Sequence, residues 1–464
     1  MSFQNNCFYS KLKIYLVVTI VFSCPQLTYA RSDVLLAQAE GEQSIDASKV
    51  SADEVIDTSS GGLLTLEEAI DIALSDNPGL AEMQARAEAM AAIPSQVGTL
   101  PDPTVSFNAM NLPTDTFDVS QENMTQMQFG ISQAIPFPGK LALREEAAEY
   151  EAAAALNNVG ETRLRLVRNV KVAWWHLFNL DQALNIVLRN QDLLRQFVEI
   201  AQTKYSVGQG LQQDVLLARL ELSKLLDLVL RLNGTRRNEE ARLNALLDRP
   251  RDHIVYIPQQ VNEKLPDLID EQVLFQLAEQ SKPMLAQQHN HIRAARSRVK
   301  LAKKDYYPDF NVGAMYGFRS GNNTGIGGSR ADFATFQLSM NVPIFTGRKQ
   351  SKAVSQRSSE LLEQNFKLQD LRGMIQAGIS VALSDYRRSR QRSELYKTGI
   401  IPQAKQTVSS MLAGYQVNKV DFLNLVRAQI TLYNYEISYW QTLSEANQAL
   451  ARVIAAVGVE TIYE

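Results

Sequence analysis

Four histidines are the first place to look for chemistry in this 464-residue chain: His176, His253, His289 and His291. His289 and His291 stand two apart in a predicted helix, so they point in different directions. They cannot grip a metal as an i, i+4 pair does. Both cysteines, Cys7 and Cys24, fall at the very start of the chain, and no cysteine or carboxylate cluster completes a site. Met124 and Met127 could pass a soft cation such as copper along a lumen, although strand filler is the simpler reading. Charge is close to balanced, 47 basic against 50 acidic residues, which implies no nucleic-acid partner. The residues thus support neither catalysis nor a cofactor.

The residues that remain informative occur twice. Tyr205-Ser206-Val207-Gly208-Gln209-Gly210 leads into Asp214-Val215-Leu216-Leu217-Ala218-Arg219, and Tyr415-Gln416-Val417-Asn418-Lys419-Val420 leads into Asn424-Leu425-Val426-Arg427-Ala428-Gln429, 210 residues later. Phe129 to Pro136 matches Phe336 to Pro343, and Leu100-Pro101-Asp102 matches Tyr307-Pro308-Asp309, both 207 apart. That period is too long for a solenoid. It marks two copies of one large unit, so a single mechanism has to account for both halves.

At the N-terminus, Lys11 and Lys13 precede an apolar run from Ile14 to Phe22, and Thr28-Tyr29-Ala30 places small residues for cleavage. The pattern is a secretory signal peptide over residues 1–30, with Arg31 as the mature start. The rival is a lipobox, Val21-Phe22-Ser23-Cys24, which would make Cys24 a lipid-bearing N-terminus; Phe22 and Pro25 are poor neighbours for that processing. A polar leader covers 31–62. Beyond the signal no run approaches the roughly 20 apolar residues of a membrane helix, so any membrane contact must be made by strands.

Each half then follows one programme of helix, strand, loop, strand, long helix, tight turn and long helix. The first repeat is assigned to 63–248, a linker to 249–268, the second repeat to 269–458 and a tail to 459–464. Thr65 caps a helix running to about Ile93, broken near Asn77-Pro78 and stopped by Pro94. Strands are expected at 104–111, 125–135, 310–318 and 333–342, with Val312, Tyr316 and Phe318 on one face and Asn311, Gly313 and Gly317 on the other. Their length and alternation suit outer-membrane barrel strands; a soluble hairpin is the alternative. From Lys140 to Ser206 no proline intervenes, and Leu180, Leu184, Val187, Gln191, Leu194, Val198, Ala201 and Tyr205 are spaced four and three, a coiled-coil seam. The second long helix, from about 347 to 416, should kink at Gly399 and Pro402.

Each unit joins two long antiparallel helices through a very short turn, 207–210 and 417–420. A Gly or Asn there suits the left-handed residue that follows a helix C-terminus. Strand edges cannot stay unpaired in lipid, and four strands are too few for a roomy barrel. Several chains must therefore close it together, giving a tube with a barrel at one end and coiled coil at the other.

With these elements in place the chain resembles the TolC family of outer-membrane efflux ducts. The resemblance is carried by Leu66-Glu67-Glu68-Ala69, Asn77-Pro78, Ser132-Gln133-Ala134-Ile135-Pro136, the Tyr-x-Val-Gly at 205–208, Asp214-Val215 and Leu432-Tyr433-Asn434. It implies a mainly α fold with a membrane β-barrel portion. A homotrimer would share one barrel in outer-membrane lipid and extend a helical tunnel through the periplasm. It implies a passive exit duct for small molecules or metal ions, with a periplasmic adaptor and an inner-membrane pump of the RND type as partners. The same duct could instead serve type I protein secretion, and a periplasmic coiled-coil scaffold is the remaining alternative. Pro136-Phe137-Pro138-Gly139-Lys140-Leu141 is similar to the heavy-metal-exporter (CusC- and CzcC-like) branch.

The resemblance also places adaptor docking at the tips, on Val207, Gly208, Gly210, Val417 and Asn418, and an entrance gate at Asp214, Asp421, Asn424 and Arg427. An acidic ring makes an entrance cation-selective. Asp214 fits that pattern, whereas Asn424 and Arg427 depart from it. Asp214 also suits the first turn of a helix on dipole grounds alone. If its carboxylate helps to close the entrance, Asp214→Ala should raise leakage.

Overall fold

The computed structural model describes residues 62–323, 327–417, 419–459 and 462–463. The expected signal peptide, the leader up to residue 61 and Cys24 lie outside the described residues. So do Asn418, three residues of the loop at 320–329, and residues 460, 461 and 464 of the tail.

Helix α1 (Leu66–Asp76) opens on a capping box: the Glu68 N–H donates to Thr65 Oγ1 at 3.2 Å and the Thr65 N–H to the Glu68 carboxylate at 3.0 Å. Asn77 ends it and caps α2 (Pro78–Ala91). Pro94 does not stop the helical run as expected; it sits in the first turn of a further helix, α3 (Ile93–Gly98). A first-turn proline gives up an N–H that has no partner in any helix, so it begins one as readily as it ends one.

Strands β1 (Thr104–Met110) and β2 (Gln126–Ile135) precede α4 (Lys140–Ser206) and α5 (Gln212–Leu246). The second unit supplies α6 (Glu271–Ser281), α7 (Pro283–Lys304), β3 (Phe310–Phe318), β4 (Phe333–Met340), α8 (Gln350–Leu395), α9 (Ile401–Gln416) and α10 (Phe422–Val457). The long helices end at 206 and 416 and their return helices begin at 212 and 422, so both boundaries repeat at 210 residues. The 67 residues of α4 span about 100 Å at 1.5 Å per residue. Gly160 does not break it. A Cβ there would lie 3.4 Å from Pro283, so this glycine marks where α7 crosses closely. The expected kink takes the form of one π-helical turn, Tyr396–Ile400, with Pro402 opening α9. A π turn absorbs the N–H that proline lacks and the clash its ring would make one turn back.

Helix α4 packs on both α5 and α10. It therefore buries two rows: Leu180, Val187, Leu194 and Ala201 on the expected seam, and Ala183, Ile186, Asn190 and Phe197 beside it. Asn190 Oδ1 accepts from Gln429 Nε2 of α10 at 2.7 Å, a polar layer inside the bundle. Tyr205 departs from expectation. It is 48 % exposed, because the facing helix starts only at Gln212 and buries nothing before Val215, so the tyrosine overhangs the turn. Lower down, Trp174 stacks on Phe178 at 5.8 Å and donates its indole N–H to the Leu64 carbonyl at 3.0 Å, fixing the chain's entry. The segment between the repeats is tied to the kinked helix: Glu263 accepts from Lys397 Nζ and from the Tyr439 hydroxyl, both at 2.6 Å.

The four strands form one antiparallel sheet in the order β1-β2-β3-β4. Phe107 faces Phe129, Phe129 faces Tyr316, and Val312 faces Leu338, all on one side. That side is apolar and uncovered: Phe336 is 86 % and Leu338 72 % exposed. The other side is mostly polar or glycine, with Ser106, Asn108, Gln128, Gly130, Ser132, Gly313, Gln337 and Ser339, and also carries Met110, Met315 and Phe333. Among the described residues no helix is long and apolar enough to cross a membrane.

Candidate gate and docking site

The tips lie about 100 Å along α4 from the sheet. In the first, Gly208 has φ +72°, the Gln209 N–H donates to the Lys204 carbonyl at 2.8 Å and the Gly208 N–H to that of Tyr205 at 3.1 Å. These are the two bonds of a Schellman motif, and they leave glycine at the left-handed position. In the second, the Lys419 N–H donates to the Gly414 carbonyl at 2.9 Å, the outer bond of the same motif. Val207 and Val417 are each 62 % exposed, so both turns present an apolar residue beside a tight reversal. Gly210 is half-buried, close under Lys204 and Tyr205.

The tips also touch each other. Lys204 Nζ donates to the Tyr415 carbonyl at 3.1 Å and lies 4.1 Å from the centre of the Tyr415 ring. Tyr415 packs on Phe422 at 5.4 Å, and Phe422 on Phe197 of α4 at 6.2 Å. Sequence reasoning missed this clamp. Its signal was a divergence between otherwise matching strings: Lys204-Tyr205 against Gly414-Tyr415, and Gln212 against Phe422.

Asp214 stands half-buried in the first turn of α5. Burial pushes its carboxyl up. A hydrogen bond from the Leu211 backbone opposes that, Asp421 adds to it and Lys204 moderates it; the net direction is upward. Asp421 precedes α10 with its side chain capping nothing, and Asn424 and Arg427 follow at intervals of three on the exposed side of that helix. The structure thus brings Asp214 and Asp421 into electrostatic contact. Among the described residues Arg427 joins no ion pair.

Among the described residues metal-ligating chemistry is not assembled. His176 pairs with Glu239 at 3.4 Å and His291 with Glu151 at 3.1 Å, and among the described residues no three His, Cys, Asp or Glu side chains come together as ligands would. Met127 lies on the apolar side of the sheet opposite Phe318. It does not line the polar side, so the copper-lumen reading of Met124 and Met127 loses one of its two residues.

The family model described as outer membrane efflux protein matches residues 69–249 and 274–459. The cobalt-zinc-cadmium resistance protein CzcC of Cupriavidus metallidurans is 19 % identical over 420 residues, covering 86 % of this chain and 90 % of its own. Among solved structures, the Vibrio cholerae outer membrane protein VceC superposes with a TM-score of 0.71 at 17 % identity, over 85 % of this chain and 96 % of its own. CusC gives 0.71 at 16 % identity, over 85 % and 92 %. With well over half of the chain matched, it belongs to the outer membrane efflux protein family and is a passive channel rather than an enzyme.

Proposed function

We propose that this channel is the exit duct of a tripartite RND-type efflux system, and that three copies share one barrel. The signal peptide would be removed after Ala30. The helical tunnel extends into the periplasm, where the adaptor's helices dock on the turns at 207–210 and 417–420, and Asp214 with Asp421 sits at the resting entrance. Divalent metal ions are the favoured cargo, because CzcC carries cobalt, zinc and cadmium resistance in its name and the turn at Pro136 to Leu141 resembles that branch's.

The observation that carries the reading is the sheet. A largely apolar, uncovered side and a largely polar, glycine-containing side (Met110, Met315 and Phe333 are exceptions on the polar side, Gln133 on the apolar) run in register across the four strands, as suits one side facing lipid and the other a lumen. The test exchanges neighbours on β3. Val312→Arg places a charge on the lipid side, at a cost of about 2–4 kcal/mol near the midplane, and should abolish the heat-resistant oligomer in outer-membrane extracts. Asn311→Arg should leave it. The opposite pattern would invert the facing, and indifference to both would remove the strands from the membrane.

A further inference from the structure

The duplication gives each strand junction a twin, and only one twin is filled within a chain. Where β2 runs into α4 beside the start of β3, Phe137 stacks on Tyr307 at 4.5 Å and its N–H donates to Asp309 Oδ1 at 2.7 Å. The Lys140 ammonium, 3 % exposed, reaches Asp309 at 2.9 Å and Asp305 at 3.1 Å. These residues sit in two repeated strings. Phe137-Pro138-Gly139-Lys140 recurs as Phe345-Thr346-Gly347-Arg348, 208 residues on, and Tyr307-Pro308-Asp309 recurs as Leu100-Pro101-Asp102.

The recurring strings do not meet in one chain. They flank β4 and β1, the opposite edges of the sheet, about 14 Å apart at three strand spacings. Phe345 is 68 % and Leu100 47 % exposed, and among the described residues neither Asp102 nor Arg348 has an ion partner. An aromatic ring and a cation on one edge, and an apolar side chain and a carboxylate on the other, are the separated halves of the filled junction.

We propose that β4 of one copy pairs with β1 of the next in the register that β2 keeps with β3, with Phe345 and Arg348 seated on Leu100 and Asp102 of that next copy. This rests on the reading that copies share a barrel, and it adds which residues meet. Within the chain Gln133 pairs with Val312, Ile131 with Ala314 and Ser132 with Gly313. Shifting β2 forward and β3 back by 207 sets Met340 against Val105, Leu338 against Phe107 and Ser339 against Ser106. The shift takes no account of faces, yet apolar outward residues fall opposite apolar outward residues and serine opposite serine. A slip of one residue would send each strand's apolar set to the wrong side. A slip of two would keep the faces but separate Arg348 from Asp102.

Cysteine pairs read the register. Ser106→Cys with Ser339→Cys in the same chain, oxidised with copper phenanthroline, should give a covalent oligomer on a non-reducing gel that the unmutated parent does not give. Ser106→Cys with Gln337→Cys, or with Asn341→Cys, should stay monomeric there, since disulfides do not form beyond a Cα separation of about 7 Å. A covalent oligomer from a shifted pair alone would overturn the register while leaving the shared barrel intact. A parent that is monomeric on a native column would instead remove the shared barrel itself. Charge exchange reads the latch: Asp102→Arg and Arg348→Asp should each lower the temperature at which the oligomer dissociates, and the double exchange should restore it. Single variants as heat-resistant as the parent, or a double variant without rescue, would remove the latch.

Discussion

The two helical tips share a backbone and differ in what covers it. Both end their long helix with the same reversal, seen in the Gln209-to-Lys204 and Lys419-to-Gly414 bonds. Both place a tyrosine five residues ahead of the turn's end. Tyr205 is nevertheless 48 % exposed and Tyr415 only 7 %. The difference lies in the neighbours: Phe422 stands where the first unit has Gln212, and Lys204 where the second has Gly414. The second tip folds its aromatics inward onto α4 and is then gripped by the lysine of the first. The repeated residues make the turns, and the residues that diverged make one turn hold the other. The contact between the tips is thus built at the seam between unlike halves.

The most direct way to break this comparison is to remove Phe422, which is 2 % exposed. Phe422→Ala should cost the tip about 3–5 kcal/mol of local stability and raise leakage of small solutes, read as sensitivity to compounds the envelope normally excludes. Oligomer assembly should persist, since the sheet and the lower bundle are untouched. Gln212→Ala, the same change at the twin position, should stay within about 0.5 kcal/mol, as exposed substitutions usually do. Equal leakage from both would show that the tips are energetically equivalent after all.

A smaller effect separates backbone from packing. Gly208 sits at φ +72°, and a Cβ placed there would meet nothing within 4 Å. Gly208→Val therefore costs only the left-handed conformation, about 1–2 kcal/mol. Export should fall while the oligomer survives. A Cβ at Gly210 would instead lie 3.0 Å from the Cβ of Lys204 and 3.1 Å from the Tyr205 nitrogen, pressing on the clamp itself. Gly210→Ala should therefore raise leakage more than Gly208→Ala does. The reverse order would place the tip's stability in the turn and not in the clamp.

Much of this architecture was legible in the sequence because it is periodic or repeated. Alternation marked the strands, the four-three spacing marked Leu180 to Ala201, and the matching strings marked both turns. What failed to read was context. Tyr205 and Tyr415 are the same residue in the same string, and nothing in spacing says which one overhangs. Pro94 and Pro402 announced an interruption without saying whether a helix stops, restarts or takes a π turn, since proline suits each outcome. Of the candidate site, Asp214 was visible through its position after the turn. Lys204 was not, because its partner lies 211 residues away and long-range contacts leave no local pattern.

The smallest expected effect concerns Asp214, where the surroundings of the carboxylate argue for the opposite sign to the sequence-based expectation. Were the carboxylate a closing element, its charge would find a cation in the closed tip. Its surroundings instead push its pKa up on balance, through burial first and the Asp421 charge as well, against the Leu211 backbone hydrogen bond and Lys204. In an open tip the group meets water and returns to the ordinary aspartate range. A group titrating higher in the closed form binds its proton more tightly there, so protonation favours closure. The ionised carboxylate opposes closure at neutral pH. That opposition fades as pH falls through the raised pKa and is gone below the ordinary one. Leakage through the resting channel in liposomes should therefore decrease on acidification through that window. Asp214→Asn should leak less than the parent at neutral pH and lose most of the pH response, and Asp421→Asn should reproduce part of the change by removing the second charge. Higher leakage from Asp214→Asn at neutral pH would restore the carboxylate as a closing element, with Lys204 its partner.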